Sequence, residues 1–110
     1  MIRTLTSTGV QKIGRRFVDS IEHAAYTLNG EPQTIPLFRK SADNDEIRIY
    51  IYFDDTFLGD VSQVELIDTD GDVVASAGDR VFTKTPGKGL YIAFKYNISE
   101  MEVTEEDGTL

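Results

Sequence analysis

The chain contains no cysteine and a single histidine, His23. Disulfide frameworks and thiolate metal sites are thereby excluded, and little remains for a nitrogen-ligand site. Basic residues are also in deficit, with 11 Lys and Arg against 19 Asp and Glu for a net charge of −8. Phosphate backbones are bound by clustered Lys and Arg that release counterions, so no nucleic-acid partner is expected. No apolar run approaches the length that crosses a bilayer, and residues 1–6 lack the apolar core of a signal peptide. The expectation is no membrane partner, and a chain that is made in, and stays in, a cytoplasm or something assembled there. Without a nucleophile-elbow motif, and with so few nucleophiles and bases, no enzyme, catalytic residue or cofactor is expected.

What the chain does contain is one domain's worth of β-rich sequence, with 110 residues sufficing for a single core without metals or disulfides. Its centre is Val61-Ser62-Gln63-Val64-Glu65-Leu66-Ile67-Asp68-Thr69-Asp70-Gly71-Asp72-Val73-Val74-Ala75. Two aliphatic arms flank Asp70-Gly71, a dipeptide that favours a type I′ hairpin because that turn needs positive φ at both central positions. A two-residue loop there sets Leu66 opposite Ala75, Val64 opposite Ala77 and Ile67 opposite Val74. Both faces of the arms are then partly apolar, which predicts a strand buried on two sides.

Thr8-Gly9-Val10-Gln11 fits a capping box, and the spacing of Val10, Ile13, Phe17 and Ile21 predicts an amphipathic helix over about 8–22. Lys12, Arg15, Arg16 and Asp19 fall on its opposite face and read as solubility charge. His23 is expected just beyond the helix, favourably placed against its macrodipole. A strand over 24–28 ends at the turn pair Asn29-Gly30. Pro32 and Pro36 then deny ladder donors, so 31–37 reads as an edge segment or connector. Ser41-Ala42-Asp43-Asn44-Asp45 reads as a polar loop.

Residues 46–53 form the clearest strand, with Ile47, Ile49, Ile51 and Phe53 on one face and Arg48, Tyr50 and Tyr52 on the other. The aliphatic face is core. Tyrosine and arginine are enriched at protein interfaces, although tyrosines also commonly cover the outer side of a sheet. Arg48, Tyr50 and Tyr52 are therefore candidate protein-interface residues, joined by Tyr91 and Lys95 if their strand lies alongside. A short strand is expected over 80–83. After the turn at Thr85-Pro86-Gly87-Lys88-Gly89 the alternation from Leu90 to Ile98 predicts a strand of central-strand length. Residues 99–110 hold five of the 19 acids and no base, and an acidic, disordered tail is expected beyond a single domain over 1–98.

Three other signals are weaker. Asp68-x-Asp70-x-Asp72 begins like a calcium loop, but an EF-hand needs glycine at position six and Glu at twelve, where this chain has Val73 and Asp79. Asp43, Asp45, Asp54 and Asp55 lie in expected loops, more simply turn formers than an acid/base pair. The turn at 85–89 lacks phosphate-loop spacing and has no helix after it.

Three stretches in this order resemble the amino-terminal domain of phage tail-collar and tail-fibre proteins. They are Leu5-Thr6-Ser7-Thr8-Gly9 leading into the helix, Ala25-Tyr26-Thr27-Leu28-Asn29-Gly30, and the 61–75 hairpin followed by Lys84 and the strand from Leu90 to Ile98. Glu65 stands where that family usually has glycine, and Gln63 where it often has Glu. Those proteins continue into a fibre shaft whereas this sequence ends at Leu110, so the resemblance implies an attachment-type domain alone. It further implies a non-enzymatic virion component that docks to other tail or baseplate proteins, with a trimer as the first guess for a homo-oligomer. The expected fold is α+β, mainly antiparallel β: a β-sandwich-like arrangement with one N-terminal amphipathic helix packed on the sheet. Two rival functions are a receptor- or carbohydrate-binding module, with Phe57 as the loop-tip aromatic, and a small acidic regulatory or inhibitor protein that acts through the tail.

Overall fold

The computed structural model describes residues 4–101, 103–105 and 108. A helix α1 (Ser7–Ser20) leads into β1 (Ile21–Leu28), β2 (Glu31–Pro36), β3 (Arg39–Asp43), β4 (Glu46–Phe53), β5 (Gly59–Asp68), β6 (Val73–Ser76), β7 (Val81–Lys84) and β8 (Leu90–Asn97). One sheet runs β2-β1-β5-β6, with β7 pairing to the other half of β5. The second runs β3-β4-β8, and every pairing in both sheets is antiparallel. The fold is α+β, with the helix packed on a sandwich-like pair of antiparallel sheets.

The core lies between the sheets. From β4 come Ile47, Ile49, Ile51 and Phe53, and from β8 come Ile92 and Phe94. Facing them are Ile21, Ala24 and Tyr26 of β1 with Val61, Val64 and Leu66 of β5. Each large aliphatic side chain buried this way contributes roughly 1.5–3 kcal/mol. Tyr26 meets Phe53 edge-on at 4.9 Å between ring centroids. Phe57 also packs inward, 5.3 Å from Phe53 and 6.3 Å from Tyr26. It is thus part of the core rim and not the glycan-contacting loop tip that its position in the sequence suggested.

The helix starts earlier than its capping-box pattern predicted. Thr6 is the N-cap, its hydroxyl accepting the Gly9 amide at 3.0 Å. Gln11 is drawn elsewhere: its amide nitrogen donates to Ala42 O and its oxygen accepts from Asn44 N, both at 2.8 Å. These two bonds tie the helix to the turn between β3 and β4. Val10, Gly14 and Val18 form the buried stripe, while Ile13 faces solvent. At Gly14 a β-carbon would stand 3.2 Å from Ala42 Cβ, so the absence of a side chain permits the close helix–sheet contact. The helix ends at Ser20, two residues before the expected limit, and His23 lies inside β1 beside Glu22. The macrodipole reading of His23 therefore does not hold.

Residues 39–43 form β3 where a polar loop was expected, because pairing with β4 compensates for their poor intrinsic apolar pattern. The segment with Pro32 and Pro36 is the sheet-edge strand β2, as its prolines require. Asn29 and Gly30 both take positive φ, 51° and 86°, and close a two-residue hairpin.

The central hairpin differs from expectation in its turn. Asp68 O accepts the Gly71 amide at 3.0 Å and Gly71 has φ of 85°, whereas Asp70 does not join it at positive φ. The loop is therefore longer than two residues and carries a bulge, which sets Ile67 opposite Val73, while Leu66 does face Ala75. A second irregularity at Gln63, with φ of 50°, lets Val61 and Val64 both turn inward. The strand is buried on one face only. Leu66→Ala is expected to cost ~2–5 kcal/mol of unfolding free energy in chemical denaturation, against within about 0.5 kcal/mol for exposed Ile13→Ala.

Candidate docking face

Because successive side chains of a strand alternate between faces, burying the four apolar residues of β4 forces Arg48, Tyr50 and Tyr52 outward. The register with β8 then sets Arg48 opposite Lys95, Tyr50 opposite Ala93 and Tyr52 opposite Tyr91. All five candidates from the sequence thus meet on the outer face of the three-stranded sheet. On the other side of β4, Arg39 faces Tyr50 and Ser41 faces Arg48.

The aromatic end of this face is a cluster of three rings. Tyr52 and Tyr91 lie 4.5 Å apart at an interplanar angle of 33°, and Phe38 stands 5.5 Å from each. Phe38 is 51% exposed and Tyr91 57%. Phe38 belongs to the link between β2 and β3, held in place by its amide donating to Tyr50 O at 2.9 Å. Sequence reasoning missed it, since its place depends on a β3 that the sequence does not announce; the available signal was a large aromatic within a charged connector. Tyr52 is fixed from below by Gly89, where a β-carbon would approach its ring carbon Cε1 to 2.5 Å. The Arg39 guanidinium lies 5.9 Å from the Phe38 ring centre. At the opposite end Arg48 pairs with Glu46 at 2.9 Å, an exposed contact worth little by itself. The arrangement suits protein contact: exposed aromatic area supplies apolar anchorage and the cations supply orientation.

Other clusters are accounted for locally. The carboxylates of Asp68, Asp70 and Asp72 lie within 4.8 Å of one another. Asp68 Oδ1 already accepts the amides of Asp70 and Asp72 at 3.0 and 2.9 Å, which stabilises the hairpin loop. Asp43 is in β3 and Asp45 in the following turn, where its carbonyl accepts the Ile98 amide. The Asp54 carboxyl is held below the usual carboxylate range, first by the Thr56 hydroxyl and then by the Thr56 amide that donate to it. Its stabilising effect is present above the ordinary carboxylate pKa and is lost as pH falls through the lowered one. Lys84 is buried, and its ammonium donates to Thr85 O at 3.2 Å. The turn at 85–89 runs into β8 with no helix after it.

Gly89→Ala is expected to displace the Tyr52 ring while leaving the core intact. In NMR spectra the ring-proton shifts of Tyr52, Tyr91 and Phe38 should move together, and those of Phe53 and Tyr26 should stay in place. No family model, curated protein or solved structure matches the chain.

Proposed function

We propose that the chain is a non-enzymatic structural component of a phage or prophage tail that docks, through the outer face of the β3-β4-β8 sheet, onto another tail or baseplate protein. The observation that carries the docking reading is the surface cluster of exposed Phe38 and Tyr91 around half-buried Tyr52, on the face that also carries Arg39, Arg48 and Lys95. Contiguous exposed apolar area of this kind marks interaction sites on protein surfaces. The two tyrosine rings face one another at 4.5 Å, which leaves less ring face for stacking on a sugar and favours a protein partner.

The assignment to a tail rests on the resemblance carried by residues 4–98, above all by the 61–75 hairpin and the strand from Leu90. On this reading the protein resides in the virion tail after synthesis in the bacterial host cytoplasm. It uses no metal, cofactor, nucleic acid or membrane, and it forms a homo-oligomer. In tail particles purified from the strain that encodes the chain, mass spectrometry should detect it. A folded Tyr52→Ser, Tyr91→Ser double variant should be incorporated at least about tenfold less. Particles that lack the chain, or equal incorporation of the variant, would overturn the reading.

A further inference from the structure

We propose that residues 101–105 of one copy add as a strand to the free edge of β8 in a second copy, giving a head-to-tail association that goes beyond the docking face described above. The edges of the two sheets are not equally protected. Strand β2 carries Pro32 and Pro36, and β3 has three charges in five residues with the helix packed against it. Strands β6 and β7 are four residues each and interrupted by the turn between them. All of these are features that discourage strand addition. By contrast β8 has eight residues in unbroken register with β4, no proline or glycine, and Lys95 as its only charge. In an antiparallel ladder alternate residues point their amide and carbonyl groups away from the paired neighbour. Among the described residues no strand pairs with that outer edge.

A groove of about 400 Å³ runs along this edge, bounded by residues 91–96 on one side and by Ala77, Arg80 and Phe82 on the other. Arg80 lies over the Phe82 ring at 4.8 Å. In a chain of net charge −8 the groove is lined, among the described residues, by two cations, Arg80 and Lys95, and by no acid. The occupant should therefore be a strand that carries both apolar and acidic side chains, and the chain itself supplies one. Met101 and Val103, 85% and 74% exposed, fall on one side of an extended strand together with Glu105. Added to β8, Met101 and Val103 would cover Phe82 and Glu105 would meet Arg80.

The segment belongs to a second copy because of where its own copy directs it. Ile98 N donates to Asp45 O at 2.8 Å, and the Glu100 carboxylate accepts the amides of Thr4 and Leu5. The chain thus leaves β8 toward the start of α1, which packs beside β3 at the opposite edge of the sheet. Such a contact uses two different patches, so it closes into a ring or continues as a filament.

Sedimentation velocity on the full chain tests this. The wild-type chain should associate as its concentration rises. Arg80→Glu spoils the groove and Val103→Pro spoils the added strand, and each should weaken association by at least about tenfold. An equimolar mixture of the two variants retains one intact tail and one intact groove, and it should form 1:1 dimers that grow no further. A wild-type chain that stays monomeric at millimolar concentration, variants that associate like wild type, or a mixture that stays monomeric would each overturn the proposal. Neither substitution alters Phe38, Tyr52 or Tyr91, so this outcome is separable from that of the docking face.

Discussion

The strict alternation of β4 is the constraint on which the rest of the molecule depends. Ile47, Ile49, Ile51 and Phe53 must all reach the space between the sheets, and a strand can bury them only by presenting Arg48, Tyr50 and Tyr52 to the outside. A slip of one residue against β8 would exchange core for surface along the whole sheet. The register that avoids this also sets Tyr52 against Tyr91 and Arg48 against Lys95. Core formation and the composition of the outer face are thus one event.

Several non-local bonds tie the elements of the fold together. Gln11 holds the β3–β4 turn from the helix. Asn29 reaches from the β1–β2 turn to Leu58 O and to the amide of Asp60, which fixes the connection between the sheets. The Phe38 amide is bonded to the backbone of β4 beside the aromatic cluster. A ring whose backbone is held as that of Phe38 is has less freedom to lose on burial, and preorganisation of this kind favours binding.

The parts of the fold that were legible in the sequence are those governed by local pattern: the alternation of β4 and β8, the turn at Asn29-Gly30, and the edge role imposed by Pro32 and Pro36. What escaped depends on distant partners. Nothing in Arg39-Lys40-Ser41-Ala42-Asp43 declares a strand until β4 is beside it, and without β3 the place of Phe38 is invisible. Thr6, Ser7 and Thr8 all resemble N-caps, and Gln11 decides the matter only through its bonds to the β3–β4 turn. The irregularity at Gln63 and the register shift between Leu66 and Ile67 break the period on which the hairpin register was reckoned.

The most direct test of a docking role for the outer face is hydroxyl-radical footprinting of the chain, free and within purified tail particles. Phe38, Tyr52 and Tyr91 are expected to become protected on assembly while the exposed helix residue Ile13 keeps its reactivity. Unchanged reactivity of the three rings, with protection confined to the helix, would contradict it.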